Sequence, residues 1–172
     1  MGLIVKRKYP QPFVREILDR RELVGAEIGV WRGDNAKAML KILDIRKLYL
    51  IDPYETYDEY KEEEKSGAFS QKALKEVEKI ISRDKRVVLI RERSENAVNK
   101  IIEPLDFVFI DGNHDYEYVK KDLEMYYPLV KKGGFIAGDD ISIDDVSKAV
   151  IEFSLKTKLR LHVRHNNFFF VK

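Results

Sequence analysis

The fold of this chain is indicated first by the sequence LRLHVRHNNFFFVK, residues 159–172. Residues 159–164 and 168–172 are strand-like, and only the tripeptide His165-Asn166-Asn167 separates them. Asparagine tolerates the left-handed backbone of a tight turn, so the pattern predicts a hairpin whose last strand is antiparallel to its partner. A sheet that closes with an antiparallel strand differs from the all-parallel sheet of a dinucleotide-binding dehydrogenase domain.

Upstream of this hairpin, short apolar runs alternate with amphipathic stretches, which is the pattern of strand–helix–strand units in a parallel sheet. The predicted strands are Val24–Val30, Lys47–Ile51, Arg86–Ile90, Leu105–Ile110 and Phe135–Gly138. Helical spacing is found in Asn35–Leu43, Gln71–Ser82, Glu95–Ile102, Tyr116–Val130 and Asp144–Leu155. We therefore expect an α/β fold with a doubly wound, seven-stranded, mostly parallel sheet and an antiparallel last strand.

Composition restricts the class of protein further. With 172 residues, 44% of them hydrophobic, the chain is expected to form a single domain over residues 1–172, with an N-terminal extension at 1–22. Cysteine is absent, which excludes disulfides, thiol nucleophiles and cysteine-ligated metals. The apolar runs are far shorter than the roughly 20 residues of a membrane span. Because the first residues also lack a secretory pattern, we expect a cytoplasmic protein without a membrane partner.

A glycine turn follows the first predicted strand, with the sequence Glu27-Ile28-Gly29-Val30-Trp31-Arg32-Gly33. Glycine lets the backbone approach a ligand closely, and the free N–H groups at the start of the next helix favour an anionic group. The middle glycine of the dinucleotide motif is missing and Trp31 takes the space of a pyrophosphate, which favours a methionine-type carboxylate. The alternative is a tight strand–helix turn that needs glycine only for its geometry.

Two further strand ends offer contacts for a nucleoside. Asp52, followed by Pro53, ends the second strand, close to the spacing at which an acid accepts hydrogen bonds from both ribose hydroxyls. Arg93 and Ser94 follow the third strand, where an adenine would lie, and the Ser94 hydroxyl is a candidate partner for it. The alternatives are that Asp52 only begins a loop and that Ser94 caps the next helix.

Three acids follow the fourth and fifth strands. Asp111 lies within FIDGNHDY (109–116), and Asp139 and Asp140 follow Gly138. If the two strands are neighbours, Asp111 and Asp139 lie about 5 Å apart and Asp140 can turn into the same crevice. Three carboxylates so close repel one another unless a cation holds them, so the pattern predicts a divalent metal site, with Mg²⁺ as the first choice. The alternative is that Asp139 and Asp140 only begin a loop.

These motifs resemble those of class I S-adenosylmethionine (SAM) methyltransferases over nearly the whole chain from Val24 onward. The strings EIGVWRG (27–33), LIDPY (50–54), FIDGNHDY (109–116) and GGFIAGDD (133–140) are similar to the metal-dependent small-molecule O-methyltransferase branch, which includes sugar and, more distantly, catechol-type enzymes. The resemblance implies a methionine end of SAM at the glycine turn, its ribose at Asp52, and a metal ion at Asp111, Asp139 and Asp140. The expected cofactors are therefore SAM and a divalent metal ion, and the expected SAM contacts are Glu27, Gly29, Val30, Trp31, Gly33, Asp52, Pro53, Arg93, Ser94 and Asp111.

The catalytic base departs from the pattern of that branch. Sugar methyltransferases of this kind often place an acidic base two residues after the first metal ligand, where this chain has Asn113. An amide cannot take the proton, whereas His114 has an ordinary pKa near 6.5 and is the best substitute. We therefore expect His114 and Asp111 to be the catalytic residues, although a metal ion can acidify the acceptor hydroxyl without a base.

The expected reaction is transfer of the SAM methyl group to a hydroxyl of a small molecule. One alternative is an RNA or protein methyltransferase, suggested by basic clusters within residues 6–8, 83–93 and 156–165, and another is a SAM-binding module without catalysis. With 32 basic against 30 acidic residues, a net charge of +2, nucleic acid is not an expected partner.

Residues 53–67 are a candidate lid over this site. Between Asp52 and Glu64, seven acids surround Tyr54, Tyr57 and Tyr60, whose rings could stack on a sugar or an aromatic acceptor. The alternative is a solvated acidic helix. Because so little chain is left to cover the site, we expect a second copy of the chain to complete the pocket in a homo-oligomer.

Overall fold

A computed structural model describes residues 11–55 and 67–172 of the protein. The strands are β1 Leu23–Ile28, β2 Ile45–Ile51, β3 Val87–Ile90, β4 Leu105–Ile110, β5 Val130–Gly138, β6 His162–Arg164 and β7 Asn167–Val171. The α-helices are α1 Asp34–Ile42, α2 Gly67–Arg83, α3 Ser94–Ala97, α4 Tyr116–Tyr126 and α5 Asp144–Thr157. Three short 3₁₀ helices cover Pro12–Ile17, Val98–Lys100 and Tyr127–Leu129.

The seven strands form one sheet in the order β3-β2-β1-β4-β5-β7-β6. Strands β1 to β5 are parallel, and β7 is antiparallel to both of its neighbours. The predicted fold is confirmed, including the adjacency of β4 and β5 that the acid cluster requires. Because the strand order reverses between β1 and β4, the crevice for a ligand lies beyond the carboxyl ends of these two strands.

The sheet is buried on both faces, which explains why its strands are almost continuously apolar. One face packs against α1, α2 and the 3₁₀ helix Pro12–Ile17, and the other packs against α3, α4 and α5. In β1 every residue is buried, and the one charged side chain among them is Glu27. A buried acid in the central strand is costly unless it is neutral or paired, so Glu27 points to a functional site.

Sequence analysis did not identify the 3₁₀ helix at residues 12–17, which lies within the expected extension 1–22. Its Phe13 side chain is 1% exposed and stacks on Phe109 of β4 with the ring centroids 5.9 Å apart. Residues 12–17 are therefore part of the core. Within the described ranges, the helices lack the length and apolar character that crossing a membrane requires.

The predicted C-terminal hairpin is present, but its turn uses its residues differently from our expectation. The residue with a positive φ is His165, at 56°, and not an asparagine. The two asparagine amides are used instead as donors to carboxylates: Asn166 Nδ2 lies 2.6 Å from Asp140 Oδ1, and Asn167 Nδ2 lies 2.5 Å from Asp139 Oδ1. The interpretation of asparagine as the left-handed residue was therefore wrong, since these side chains hold the loop after β5.

Candidate active site

The crevice beyond the ends of β1, β2 and β4 consists of two lobes that share a wall. The shared wall is formed by Gly29, Trp31, Asp52 and Asp111. The first lobe extends toward β3 and is also lined by Pro53, Arg93, Ser94, Glu95, Asn113, His114, Tyr118 and Asp122. The second lobe extends toward α1 and is also lined by Glu27, Val30, Asp34, Asn35, Tyr54, Glu55 and Ser70. Nearly all the expected SAM contacts are thereby brought together.

The Gly29 turn is held from two sides. Gly29 has a φ of 80°, and a Cβ atom there would lie 1.9 Å from the Asp111 carbonyl oxygen, so the strand ends could not approach with any other residue. The Asp52 carboxylate accepts hydrogen bonds from the N–H groups of Val30 and Trp31 through Oδ2, both at 3.0 Å. It accepts a third from the Tyr54 N–H through Oδ1 at 2.8 Å. Asp52 therefore orders the turn, a role that sequence analysis missed, and its ribose contact stays a prediction.

Gly33 serves the start of α1. It is the N-cap residue with a φ of 71°, and a Cβ atom there would lie 2.6 Å from Ile80 Cδ1. In the part of the chain that the structure describes, Gly33 is not among the residues lining either lobe. The expected contact between Gly33 and SAM therefore stays a prediction. A glycine is required here in any case, because a larger side chain would collide with Ile80 of α2.

Glu27 reaches the second lobe from the buried strand β1. Its Oε1 accepts a hydrogen bond from Asn35 Nδ2 at 3.1 Å, while Glu27 Oε2 and Asn35 Oδ1 are buried without a hydrogen-bond partner among the described residues. Burial raises the pKa of Glu27 to about 8; Asn35 lowers it, and the charges of Asp111 and Asp52 raise it further. Once Glu27 has lost its proton, these two buried oxygens are unpaired acceptors in one cavity, which suits a ligand with several N–H donors, such as an ammonium group. Asn35, in the first turn of α1, is a site residue that sequence analysis missed.

Replacement of Glu27 by Gln should stabilise the ligand-free protein in a pH-dependent way. Between about pH 4.5 and 8 the folded state holds a proton that the unfolded state has lost, so the stability of the wild type falls as the pH rises through this window. Glu27→Gln removes this cost, and we expect a gain of about 1–3 kcal/mol at pH 9 and little change at pH 5. Urea unfolding of both proteins at the two pH values measures the difference. If Glu27→Gln changed the free energy of unfolding by the same amount at pH 5 and at pH 9, the raised pKa of Glu27 would be contradicted.

The second lobe is strongly acidic. Its described lining contains no Lys or Arg side chain. The acids that line it are Glu27, Asp34, Asp52, Glu55 and Asp111. Such a wall attracts a cation and repels a pyrophosphate, so the electrostatics favour a positively charged ligand over a dinucleotide.

At the other side of Asp111, three side chains could hold a metal ion. One ligand atom from each of Asp111, His114 and Asp140 lies within 4.8 Å of the others. His114 Nε2 lies 3.0 Å from Asp140 Oδ2 and 3.9 Å from Asp111 Oδ1, yet it is buried and has no partner with hydrogen-bond geometry among the described residues. The Asp111 carboxylate raises the pKa of His114 most, and Asp140 and Asp139 add to the rise. The donor set of two carboxylates and an imidazole fits a divalent cation.

Asp139 is not a member of this group, although it lines a small cavity with Asp111 and His114, and its role as a metal ligand stays a prediction. Its Oδ1 accepts hydrogen bonds from Asn167 Nδ2 and from the Asp140 N–H, the latter at 2.8 Å. Asn167 is 2% exposed, so its buried amide needs an acceptor, and β7 brings it beside the end of β5. Asp140, which has a φ of 59°, turns toward His114 instead. The group therefore contains His114 in the place that we expected Asp139 to take.

In the first lobe, Ser94 has a partner that sequence analysis missed. The N-cap residue of α3 is Arg93, without a side-chain cap, and Ser94 Oγ donates a hydrogen bond to Asp122 Oδ1 of α4. The alternative that Ser94 caps the helix is therefore wrong, and its contact with adenine stays a prediction. Burial raises the pKa of Asp122 to about 7, although the bond from Ser94 lowers it. One signal was present: Asp122 lies on the apolar face of α4 with Val119, Leu123 and Tyr126.

The candidate lid is described only at its two ends. Tyr54 donates a hydrogen bond from its hydroxyl to the Trp31 carbonyl oxygen at 3.0 Å and so closes one wall of the second lobe. Tyr57 and Tyr60 lie outside the described residues. The lid stays a prediction.

A known protein family and one viral protein are similar to this chain in sequence. A family model described as "Methyltransferase domain" matches residues 26–141, which include the glycine turn and all the acids discussed above. The uncharacterized protein R132 of Acanthamoeba polyphaga mimivirus is 29% identical over 124 residues, 71% of this chain and 53% of R132. The chain thus spans about half the length of that relative.

Solved structures share the fold at low sequence identity. The O-methyltransferase NovP has a TM-score of 0.65 at 17% identity, with 92% of this chain and 76% of NovP covered. The MycE methyltransferase of the mycinamycin biosynthetic pathway, in complex with Mg, SAH and mycinamycin VI, has a TM-score of 0.63 at 18% identity, with 93% and 48% covered. An rRNA methylase from Streptococcus thermophilus has a TM-score of 0.65 at 19% identity, with 93% and 92% covered. The same fold therefore serves both small molecules and RNA, and the choice between them depends on the site.

Proposed function

This chain belongs to the methyltransferase-domain family, and from that premise we propose that it transfers the methyl group of SAM to a hydroxyl of a small molecule with the help of a divalent metal ion. The observation that carries the proposal is the position of Asp111. Asp111 lines both lobes of the crevice, and its carboxylate belongs to the group formed with His114 and Asp140. One carboxylate therefore lies between an acidic cavity for a cationic cofactor and a candidate metal site.

The residues of the second lobe fit the methionine end of SAM. The unpaired acceptors Glu27 Oε2 and Asn35 Oδ1 would bind its ammonium group, and the acidic lining favours its sulfonium charge. The N-terminus of α1 has no side-chain cap, so its free N–H groups can bind the carboxylate. Asp52 and Ser94, in the wall and in the first lobe, are assigned to the ribose and the adenine. SAM supplies a methyl group bound to a cationic sulfur, ready for displacement by an oxygen nucleophile.

The carboxylates of Asp111 and Asp140 would hold the metal ion, and His114, the third member of the group, lies beside them. A divalent ion held there would supply Lewis acidity, which would lower the pKa of an acceptor hydroxyl. The chain itself must align the acceptor, exclude water and take the proton. For the proton we assign His114 Nε2: the carboxylates of Asp111 and Asp140 raise its pKa, which stabilises the imidazolium that forms when the acceptor is deprotonated.

SAM and its demethylated product SAH should stabilise the protein against heat, and NAD should not. At a ligand concentration of about 100 Kd, binding to the folded state adds roughly 2.7 kcal/mol, which corresponds to a rise in Tm of about 5–10 °C for a chain of this length. A thermal-shift series with SAM, SAH and NAD measures the effect. A shift with NAD and none with SAM or SAH would overturn the proposed cofactor.

An assay with radiolabelled SAM can identify the class of molecule that accepts the methyl group. Radiolabelled SAM, offered with sugars, catechols and other hydroxylated small molecules, should label one of these classes, and chelation of divalent ions should abolish the label. An RNA substrate is the second candidate, favoured by a groove between α1 and α2 whose lining includes Lys41, Lys79 and Arg83. Total RNA is therefore included in the same assay. Labelling of RNA together with steeply salt-dependent RNA binding would replace the small-molecule proposal.

A further inference from the structure

The buried Asp122 has no role in the chemistry proposed above, yet it lines the first lobe beside Ser94. Asp122 is 5% exposed, and its Oδ1 accepts the hydrogen bond of the Ser94 hydroxyl. The Ser94 backbone is fixed as well, because the Tyr126 hydroxyl donates to the Ser94 carbonyl oxygen at 2.9 Å. Ser94 is thus held both through its side chain and through its main chain by residues of α4.

The direction of the Ser94–Asp122 hydrogen bond determines what Ser94 can offer to a ligand. A serine hydroxyl has one proton and two lone pairs. When Asp122 is ionised, the Ser94 proton is donated to it, and only lone pairs remain for a group in the first lobe. A ligand atom facing Ser94 Oγ must therefore be a hydrogen-bond donor. A ligand with an acceptor there would leave both groups unpaired in a partly buried site.

We propose that Asp122 is a positioning residue that makes Ser94 an acceptor-only group, and that this pair selects a 6-aminopurine over a 6-oxopurine in the nucleoside part of the cofactor. The inference rests on the proposed function, since it takes the base of SAM to lie in the first lobe. An adenine amino group donates to Ser94 Oγ, whereas the oxygen of hypoxanthine meets its lone pairs.

The test compares the binding of SAH with that of S-inosyl-L-homocysteine, which carries an oxo group in place of the adenine amino group. Calorimetry at pH 8.5 keeps Asp122 ionised, because this is above its pKa of about 7. We expect the wild type to prefer SAH by about 10- to 100-fold, the range for an unpaired buried acceptor. In Asp122→Ala the freed Ser94 hydroxyl can donate to the oxo group, so the preference should fall below about 5-fold.

A double-mutant cycle separates positioning from general damage to the fold. If Asp122 acts through Ser94, Ser94→Ala lowers the preference by itself, and adding Asp122→Ala to it changes the preference no further. Glu117→Ala, on the exposed side of α4, is the control and should keep the wild-type preference. If Asp122→Ala does not fold, the comparison of wild type with Ser94→Ala still shows whether the Ser94 hydroxyl accepts a hydrogen bond from the adenine amino group.

The outcomes distinguish the two proposals. Absence of SAH binding by the wild type would overturn the proposed function. Binding of SAH with an unchanged preference in Asp122→Ala or in Ser94→Ala would overturn the role of the pair and leave the proposed function standing. A further loss of preference when Asp122→Ala is added to Ser94→Ala would show that Asp122 does not act through the hydroxyl, which also overturns the inference.

Discussion

Replacement of Gly29 by Ala is expected to cost more than about 4 kcal/mol of folding stability, because two unfavourable effects add. The new Cβ atom would lie 1.9 Å from the Asp111 carbonyl oxygen and 2.7 Å from the Gly112 nitrogen, so the ends of β1 and β4 would have to separate. The φ of 80° adds the strain of a left-handed alanine. Since domains are typically stable by only 5–15 kcal/mol, a substantial fraction of the variant should be unfolded.

The matched control for this prediction is Gly112→Ala on the opposite strand end. A Cβ atom at Gly112 has Ile28 Cγ2 at 3.5 Å as its nearest neighbour, which is an ordinary contact. We expect a change within about 1 kcal/mol there. Urea unfolding of both variants, followed by circular dichroism, provides the comparison. A Gly29→Ala protein as stable as Gly112→Ala would show that the close approach of the strand ends is not required.

The fold was predictable because, in α/β proteins, the arrangement of the strands in the sheet follows from apolar patterns that are local in the sequence. Each apolar run followed by an amphipathic stretch predicts one strand–helix unit, and the hairpin predicts the antiparallel end of the sheet. The 3₁₀ helix Pro12–Ile17 was missed because its apolar residues are too few to show a helical period. Its place in the core depends on contacts with Phe107 and Phe109, which lie far away in the sequence.

Within the site, the position of each acid was predictable but its partner was not. The end of a strand places Asp111, Asp139 and Asp140 at one edge of the sheet, whatever their side-chain rotamers are. Asp140 faces His114, and both Asp139 and Asp140 accept hydrogen bonds from the asparagine amides that follow His165, which belong to another element. Asn35 was missed for the same kind of reason, since its importance comes from the unpaired oxygen of Glu27 beside it. Hydrogen-bond partners distant in sequence leave no periodic signal.

Replacement of Asp111 by Asn should have the largest effect on turnover. Asp111 lines both lobes and shares the candidate metal site, so the neutral amide loses a charge from the cofactor cavity and a ligand from the metal group at once. We expect divalent-ion affinity to fall at least about 10-fold and methyl transfer at least about 100-fold. SAH affinity should fall as well. Calorimetry with Mg²⁺ or Mn²⁺, with and without SAH, and single-turnover methyl transfer measure the three quantities.

The comparison with Asp139→Asn and Asp140→Asn shows which carboxylate belongs with Asp111. Asp140 Oδ2 lies 3.0 Å from His114 Nε2, and only its other oxygen accepts from Asn166, whereas Asp139 Oδ1 accepts from Asn167 and from the main chain. Loss of metal affinity should therefore be greater in Asp140→Asn than in Asp139→Asn, while both keep the SAH affinity of the wild type. If the acids only repel one another, neutralising Asp111 raises stability and leaves divalent ions without effect. Full methyl-transfer activity after complete chelation would exclude the metal-assisted route, because the reaction would then proceed without the ion. Deprotonation of the acceptor would in that case be assigned to His114.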